Sequence, residues 1–370
     1  MADFPLLKDF INAELVERIA DRIVALHPAF DAAAFRAAVV DDLDKLELKA
    51  RHRLIAAQLR EFLPADFPEA LRILVAMLQD EHDTPGKESG LQMMAIPAFV
   101  EIYGGHHPRE SLDAMPAITR VSSCEFALRP ILAAHTQATL GRLHEWIEHE
   151  DAHVRRLVSE GSRPRLPWAP PLQQFVADPS PSLALLERLK DDSSLYVRRS
   201  VANHLNDISK DHPELVLERM EAWSVDAGEE RLRLINHALR TLVKLGDQRA
   251  LAILGYGAAN IKLRRVELTP ELLQFGNELE FSFELQNCGT SEANLMIDFV
   301  MRFLKANGKS APKVFKLKKA RLAAGETLPI KKKLAIRPIS TRKYYPGRQR
   351  LEIQVNGRVL GGADFELVMD

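Results

Sequence analysis

The chain contains an internal repeat of 43 residues, which restricts its possible folds more than any other feature of the sequence. Each copy has the pattern of an amphipathic helix, a short acidic turn and a second helix that opens with Val-Arg-Arg. The first copy has these features at Leu140, Leu143, Trp146, Val154, Arg155, Arg156 and Val158, and the second has them at Leu183, Leu186, Leu189, Val197, Arg198, Arg199 and Val201. Because one helix pair cannot bury its apolar face alone, neighbouring copies are expected to stack into a curved array.

Helical spacing extends over the whole of residues 1–258. Leu15, Ile19 and Ile23 lie about one turn apart, and Asp31 stands before the next such segment as its expected N-cap. Paired helices that repeat at about 40 residues with Val-Arg in the second helix resemble HEAT repeats. We therefore predict a HEAT-like α-solenoid over residues 1–258, whose concave face can contact a long, rounded ligand.

The sequence pattern changes from helical to β-like after this region. Short β segments are predicted at residues 279–285, 295–304, 314–317, 328–336, 351–355 and 365–368. Turn signals rich in Gly and Asn separate them. About a hundred residues with such strands indicate a small all-β sandwich, immunoglobulin-like in form, over residues 265–370. The predicted fold class is thus mainly α with an all-β C-terminal domain, and no disulfide is expected because Cys124 and Cys288 lie far apart.

Charge is distributed unevenly along the 370-residue chain, although its formal net value is only −1. From Ile261 onward there are 20 Lys and Arg against 12 Asp and Glu, a charge of +8 that leaves −9 on the rest. A basic C-terminal part favours a polyanionic partner, and a solvated charged surface is the alternative. We expect a reduced, cytoplasmic protein without a signal peptide, because no apolar run approaches the ~18 residues of a membrane span and only two cysteines occur.

The most unusual segment is residues 155–168, in which a repeat helix stops at Gly161 and a Ser-Arg-Pro-Arg-Leu-Pro-Trp loop follows. Its two prolines stiffen the loop. A rigid loop with Arg163, Arg165 and Trp168 suits a phosphate contact beside an aromatic platform. The alternative is a connection between helices in which Trp168 fills the core.

Two further segments contain polar residues in places that suit a functional site. Asn203, Asn206 and Asp207 share one face of the second repeat's second helix. This face is either functional or simply exposed to solvent. Glu125 follows two serines that are candidate helix caps, so an acid in the first turn also has a purely structural explanation.

The C-terminal part has a basic, aromatic turn at residues 340–348 that includes Arg342, Lys343 and Tyr344. Such a loop at one end of a sandwich could enter a nucleic-acid groove with an aromatic wedge. The run at residues 331–333 is instead typical of a lysine-protected strand edge. We expect no metal ion and no cofactor, because the sequence lacks His-Glu-x-x-His, Cys-His and Gly-rich phosphate-loop motifs.

At residues 122–130, 155–168 and 198–213 the sequence resembles the AlkC subgroup of bacterial DNA alkylation repair glycosylases. The likeness covers about residues 1–258, and some members add a C-terminal immunoglobulin-like domain. The resemblance implies a monofunctional DNA N-glycosylase that hydrolyses the glycosidic bond of cationic alkylated bases in duplex DNA, as a monomer. It implies 3-methyladenine as the chief substrate and 3-methylcytosine as a further candidate, without the deep pocket of base-flipping enzymes.

The same resemblance assigns residue roles. It places the active-site acids at Glu125 and Glu160, with Trp168 beside the lesion. In the next matching segment it gives Asp207 as a further catalytic residue and Asn203 and Asn206 as contacts to the DNA substrate. Candidate phosphate ligands are Arg163, Arg165, Arg198 and Arg199, although in HEAT repeats the last two positions often brace adjacent repeats. A 3-alkylated purine is already cationic, so a carboxylate need only stabilise the oxocarbenium-like sugar or orient the attacking water.

Two other functions fit the sequence. One is a non-catalytic HEAT-repeat scaffold, and the other is a DNA-structure-binding protein that releases no base. The interrupted helix and the basic C-terminal part speak against a plain scaffold, while salt-sensitive binding to duplex DNA would be shared by the enzyme and the DNA binder.

Overall fold

The computed structural model describes residues 6–82, 90–339 and 342–369, with helices first and strands afterwards. The helices of the described residues are α1 (Ala13–Leu26), α2 (Ala32–Leu43), α3 (Leu48–Phe62), α4 (Phe67–His82), α5 (Ala95–Tyr103), α6 (Pro108–Val121), α7 (Glu125–Ala134), α8 (Thr136–Trp146), α9 (Ala152–Gly161), α10 (Gln173–Ala177), α11 (Ser180–Leu189), α12 (Leu195–Ile208), α13 (Pro213–Ser224), α14 (Glu229–Ala238), α15 (Arg240–Leu245) and α16 (Gln248–Ile253). None of the helices in these ranges is long and apolar enough to span a bilayer.

The chain forms two compact units that divide between Asp211 and His212. The first unit contains α1 to α12. Its helices begin where the sequence supplies caps: the Asp31 carboxylate accepts from the amide of Ala34 at α2, and Asp151 accepts from the amide of His153 at α9. The expected cap at Asp31 is therefore confirmed. Apolar faces pack α3 on α5, α4 on α6 and α5 on α7, which leaves their polar faces to solvent.

The 43-residue repeat corresponds to the helix pairs α8–α9 and α11–α12, with α9 packed on α12. Arg155 of the first copy donates two hydrogen bonds to the Asp192 carboxylate, of 2.7 and 3.0 Å, in the turn of the second copy. Its equivalent Arg198 is buried and donates to the carbonyl of Ser193 at 2.9 Å. Arg155 also donates to the carbonyls of His149 and Glu150, at 2.8 and 2.7 Å, so each of these two arginines closes the turn before its own helix.

The second unit contains α13 to α16 and all the strands of the described residues. The strands are β1 (Ile261–Thr269), β2 (Leu272–Gln274), β3 (Glu278–Asn287), β4 (Ala293–Leu304), β5 (Ser310–Leu322), β6 (Thr327–Ala335), β7 (Gly347–Val355) and β8 (Arg358–Val368). They form a three-stranded sheet in the order β1-β3-β6 and a five-stranded sheet in the order β2-β8-β7-β4-β5. Only the short pair β2–β8 is parallel. Apolar residues such as Phe281, Phe283, Ile297, Phe299 and Ile353 alternate along the strands into one core between the sheets.

Five of the six predicted β segments lie within observed strands, and the sixth, 328–336, runs one residue beyond the end of β6 at Ala335, whereas β1 and β2 were not predicted. In β1 a bulge between Arg264 and Glu267 shifts the register, and four charged residues occupy nine positions, so the period-two pattern is interrupted. β2 has only three residues, too few for a periodic signal. The change from helix to strand falls between Ile253 and Ile261, and the domain boundaries at 258 and 265 stay a prediction.

Candidate active site

Two carboxylates of the first unit, Glu125 and Glu160, converge on the guanidinium of Arg156. Arg156 Nη1 donates to Glu125 Oε2, and its Nη2 lies 3.4 Å from Glu160 Oε1. Arg156 and Glu160 lie on α9 at i and i+4, while Glu125 begins α7. Burial lowers the pKa of Arg156, but the charges of Glu125 and Glu160 outweigh it and raise that pKa overall. The two acids proposed from sequence therefore face one another across a single cation.

Close packing of α7 against α9 makes this approach possible. A Cβ atom on Gly161 would lie 2.5 Å from Cδ2 of the fully buried Leu128, so the Leu128 side chain would have to move to admit it. The glycine that ends α9 thus also allows α7 to contact it. This contact is the reason that Glu125, from one helix, reaches the α9 residue Arg156.

The serines before Glu125 do not cap the helix, contrary to the prediction. The N-cap position of α7 is Cys124, without a side-chain capping bond. Ser122 Oγ donates to the carbonyl of Gly90 at 2.6 Å, and Ser123 Oγ donates to Glu125 Oε2 at 2.8 Å. Ser123 therefore orients the carboxylate, and a role of Glu125 beyond helix capping is favoured.

A third carboxylate, Asp207 on α12, joins the network through Arg163. Arg163 Nη1 donates to Glu160 Oε1 at 2.6 Å, and its Nε donates to Asp207 Oδ2 at 2.7 Å. Ser200 Oγ donates to the other Glu160 oxygen at 2.5 Å, and Lys210 Nζ donates to Asp207 Oδ1 at 2.9 Å. Glu160 and Asp207 are only 6% and 1% exposed. Buried carboxylates persist as anions only with such partners.

Arg163 was expected to contact phosphate, and the structure places it inside this network instead. Burial lowers its pKa, but the hydrogen bond to Asp207 and the charge of Glu160 raise it overall. The loop that it begins is fixed by Arg129, which donates to the carbonyls of Arg163 and Pro170, both at 2.6 Å. Burial and the charge of Arg163 lower the pKa of Arg129 to about 10. The loop is thus held by buried arginines as well as by the packing of the buried Leu166.

Trp168, at the far end of this loop, is 73% exposed, which rules out the alternative that it fills the core. Its backbone has φ of +65°, an uncommon conformation for a residue with a side chain. Lys49 Nζ donates to its carbonyl at 2.6 Å and lies 4.3 Å from the ring centroid of Phe126, next to Glu125. Lys49 therefore links the backbone of Trp168 to Phe126, the residue that follows Glu125.

The remaining residues of the first unit that were predicted to contact DNA are less accessible to a ligand, apart from Arg199. Arg165 is paired with Asp211 through two bonds of 2.7 Å. Arg198 is buried in its turn, Asn206 is also buried, and Asn203 is partly buried. Arg199 is exposed at the surface of α12. Of the four arginines, Arg199 thus has the most accessible position for a phosphate.

In the second unit the turn at 340–348 is described except for Ser340 and Thr341, which lie outside the described residues. Tyr344 is buried in the sandwich core, where its ring contacts Phe275 and Phe303. It is therefore not free to act as a wedge. The Arg342 guanidinium lies 4.1 Å from the Phe303 ring centroid, and Lys343 is exposed.

Sequence reasoning missed Arg156, Ser200 and Ser123 as parts of the site. Arg156 was counted only as a repeat residue, although its i, i+4 spacing to Glu160 was a usable signal. The partners of Ser200 and Ser123 depend on contacts between helices. Within the described ranges, no group of three or more His, Cys, Asp or Glu side chains could hold a metal ion.

Comparison with known proteins gives concordant results for both parts of the chain. Residues 262–369 match the family model described as the C-terminal Ig-like domain of the uncharacterised protein YhaZ. The chain is 38% identical over 369 residues to the uncharacterized protein YhaZ of Bacillus subtilis (strain 168), covering 99% of this chain and 100% of that protein.

A solved structure agrees over the same length. Pseudomonas fluorescens alkylpurine DNA glycosylase AlkC, bound to DNA containing an abasic site analog, is 40% identical. The match covers 98% of this chain and 100% of that one, with a TM-score of 0.91. The mainly α architecture with a C-terminal immunoglobulin-like sandwich is confirmed, and the chain belongs to the AlkC family of alkylpurine DNA glycosylases.

Proposed function

We propose that this protein is a DNA glycosylase that removes alkylated bases from duplex DNA. One observation supports this most: Glu125, Glu160 and Asp207 form a single arginine-linked network next to a loop that presents an exposed Trp168. The membership of the chain in the AlkC family supports the same assignment. An array of helices with no catalytic role would have no need to bury Glu160 and Asp207 close to Glu125, because the desolvation of carboxylates is costly.

Base excision of this kind requires mainly a negatively charged group close to the sugar of the damaged nucleotide. An N-alkylated purine such as 3-methyladenine is cationic, so its glycosidic bond is weak and the base leaves without a general acid. The sugar becomes oxocarbenium-like, and a fixed carboxylate stabilises that charge. A carboxylate also orients or deprotonates the water that attacks the sugar.

Hydrogen-bond occupancy distinguishes the three acids. Both oxygens of Glu160 and both of Asp207 accept bonds from protein groups. Glu125 is more exposed, and its Oε2 accepts from Ser123 and Arg156 while its Oε1 accepts from no described residue. We therefore assign the water or the developing sugar cation to Glu125, with Glu160 and Asp207 setting the position of the two arginines.

The proposed substrates are cationic bases, chiefly 3-methyladenine, with 3-methylcytosine as a further candidate. The face of an exposed indole favours a positively charged base. The cavity beside Glu125, lined by residues that include Lys49, His52, Ser123 and Phe126, has a volume of only about 30 Å³. That is enough for a water molecule and far too small for a base, which supports excision without a deep base pocket. We propose a cytoplasmic monomer as the acting form.

Base release from methylated duplex DNA, with every free base identified by mass, tests the proposal directly. We expect Glu125→Gln to bind duplex DNA normally and to slow single-turnover release by about 10²- to 10³-fold, as when one charge-stabilising group is lost. Glu160→Gln should also bind normally and slow release, because Glu160 positions Arg156 and Arg163. Glu150→Gln, an exposed acid before α9, is the matched control and should behave as wild type.

Two outcomes would contradict the assignment. Unchanged release in both variants would show that neither acid is catalytic. Salt-sensitive binding to duplex DNA without release of any base would instead support the DNA-structure-binding alternative.

A further inference from the structure

The second unit contains a cleft of about 860 Å³ that the proposed base excision does not use. Helices α14 and α15 form one side, and strands β4 and β5 form the other. Cationic residues line both sides: His237, Arg240 and Lys244 from the helices, and Lys316, Lys318 and Lys319 from β5. Among the described residues that line it, Asp298 is the only acid.

The lysines of this cleft form no salt bridge among the described residues, and the one acid that lines it, Asp298, interacts electrostatically with Lys316. Within the described chain, Lys244, Lys316 and Lys318 have no ion pair, whereas Lys331 and Lys333 on β6 pair with Glu280 and Glu278. The charge of Arg342, burial and the charge of Lys244 together lower the pKa of Lys313, which neighbours this region on β5. Unpaired like charges around a concave surface are relieved by an anionic ligand.

The floor of the cleft contains a buried acidic residue instead of basic ones. Asp298 is 4% exposed, and its Oδ1 has no hydrogen-bond partner among the described residues. Gln354, the β7 residue paired with Asp298, does not line the cleft but is also buried, and its Nε2 has no hydrogen-bond partner among the described residues. Burial raises the pKa of Asp298 to about 6, against the opposing charge of Lys316. Buried polar atoms without partners are rare because each costs about 1–3 kcal/mol, so a ligand group in the cleft is expected to donate to Asp298 Oδ1.

An inorganic anion alone would fit the lysines but not a buried carboxylate. A ligand with an anionic group at one end and N–H donors at the other would satisfy both. The apolar side chains of Met296, Val314 and Leu317 line the same cleft and suit the face of a flat ring. A nucleotide combines these three properties, since it has a phosphate, a planar base and donor groups on the base edge.

We propose that this cleft is a nucleotide-binding site, with the phosphate between the lysines of α15 and β5 and the base edge at Asp298. The nucleotide is either free or one residue of a DNA strand, and the two sources share this chemistry. The lining residues of the cleft all belong to the second unit and include none of the proposed catalytic residues, so the proposal does not depend on the glycosylase assignment.

Calorimetric titration of the full chain with deoxyadenosine 5′-monophosphate and with 2-deoxyribose 5-phosphate tests the site. We expect saturable binding of the nucleotide and at least a ~10-fold loss of affinity in Lys316→Ala/Lys318→Ala, because the charge-assisted bonds to phosphate are removed. Both lysines are exposed, so the variant should fold. Lys332→Ala/Lys333→Ala on β6 is the matched control and should bind as wild type.

Asp298→Ala separates recognition of the base from recognition of the phosphate. It should reduce the affinity for deoxyadenosine monophosphate to that for the sugar phosphate, while sugar-phosphate binding stays equal or improves. A thermal melt reports whether this buried substitution still folds, and the lysine variants test the site in either case.

A single-stranded 10-mer of thymidine identifies the source of the nucleotide. If deoxyadenosine monophosphate binds and Lys316→Ala/Lys318→Ala weakens that binding, the ligand of the cleft is a free nucleotide. Binding of the 10-mer alone, weakened by the cleft variant but not by the control, supports a nucleotide within a strand. If neither ligand loses affinity in Lys316→Ala/Lys318→Ala, the proposal is overturned, whatever the base-release assay shows.

Discussion

Replacement of Arg163 by Met tests whether the buried ion network holds the first unit together. Arg163 is the shared partner of Glu160 and Asp207, with bonds of 2.6 and 2.7 Å, and both acids are almost fully buried. Removing one partner of a buried ion pair typically costs about 3–5 kcal/mol, because a charge is left without compensation. Ser200 and Lys210 still serve the two acids, so the lower end, about 3 kcal/mol, is expected.

The assay is the unfolding temperature followed by circular dichroism at 222 nm. For a unit of roughly 200 residues, about 3 kcal/mol corresponds to a decrease of roughly 6–12 °C. Arg163→Met/Asp207→Asn should recover part of this loss, because the second change removes one uncompensated charge.

Arg165→Met is the matched control, since Arg165 makes an equally well-formed pair with Asp211 at the surface. Exposed pairs contribute about 0–1 kcal/mol, so its unfolding temperature should decrease by no more than about 4 °C. If Arg163→Met were as stable as Arg165→Met, or if the double variant lost more stability than the single one, the network would not have the energetic role inferred from its burial.

Three further predictions concern packing, strain and pH. Gly161→Ala should destabilise the first unit by about 1–3 kcal/mol in urea unfolding, because its Cβ would lie 2.5 Å from the Leu128 side chain. Adding Leu128→Ala should relieve that clash, and purely additive losses of stability in the double variant would argue against it. Trp168→Gly should keep or raise the unfolding temperature, because glycine adopts a φ of +65° freely. The same variant should slow base release at least ~10-fold. A lower unfolding temperature with normal base release would contradict both inferences. Burial lowers the pKa of His52 to about 4, so its neutral form favours folding fully above pH 6.5 and that contribution is lost as pH falls from 6.5 towards 4. In His52→Phe the dependence of unfolding free energy on pH in this window should therefore be shallower by up to about 1.4 kcal/mol per pH unit, and an unchanged slope would refute the burial argument.

Local sequence patterns were sufficient for the architecture because they act over one or two turns of chain. Helical spacing, the Asp31 cap and the recurring Val-Arg-Arg turn each depend on neighbours within a few residues. The strands β3 to β8 were predictable for the same reason, since alternation and Gly turns are local. The strand β1 was not, because its bulge hides the alternation that would have shown it.

The candidate acids Glu125, Glu160 and Asp207 were named from sequence through a family resemblance, but their mutual arrangement was not. Long-range partners decide whether an arginine contacts solvent or a carboxylate, and such partners have no signal in adjacent residues. Arg163 was expected to contact phosphate and is buried between two acids, while Tyr344 was expected at a groove and lies in the core. Both side chains are amphipathic, so composition alone cannot distinguish a buried position from an exposed one.

The sequence by itself determined a repeated helical array followed by a small β-sandwich, because periodicity specifies which face of each element must be covered. Only the tertiary structure decided which charges meet, because the pairs Glu125–Arg156 and Arg163–Asp207 join residues 31 and 44 positions apart. Their contact depends on how closely helices pack, and at Gly161 a single missing Cβ permits it. The site is thus formed by packing, although its carboxylates and the arginines that link them lie in the segments 122–130, 155–168 and 198–213 that the sequence had already marked.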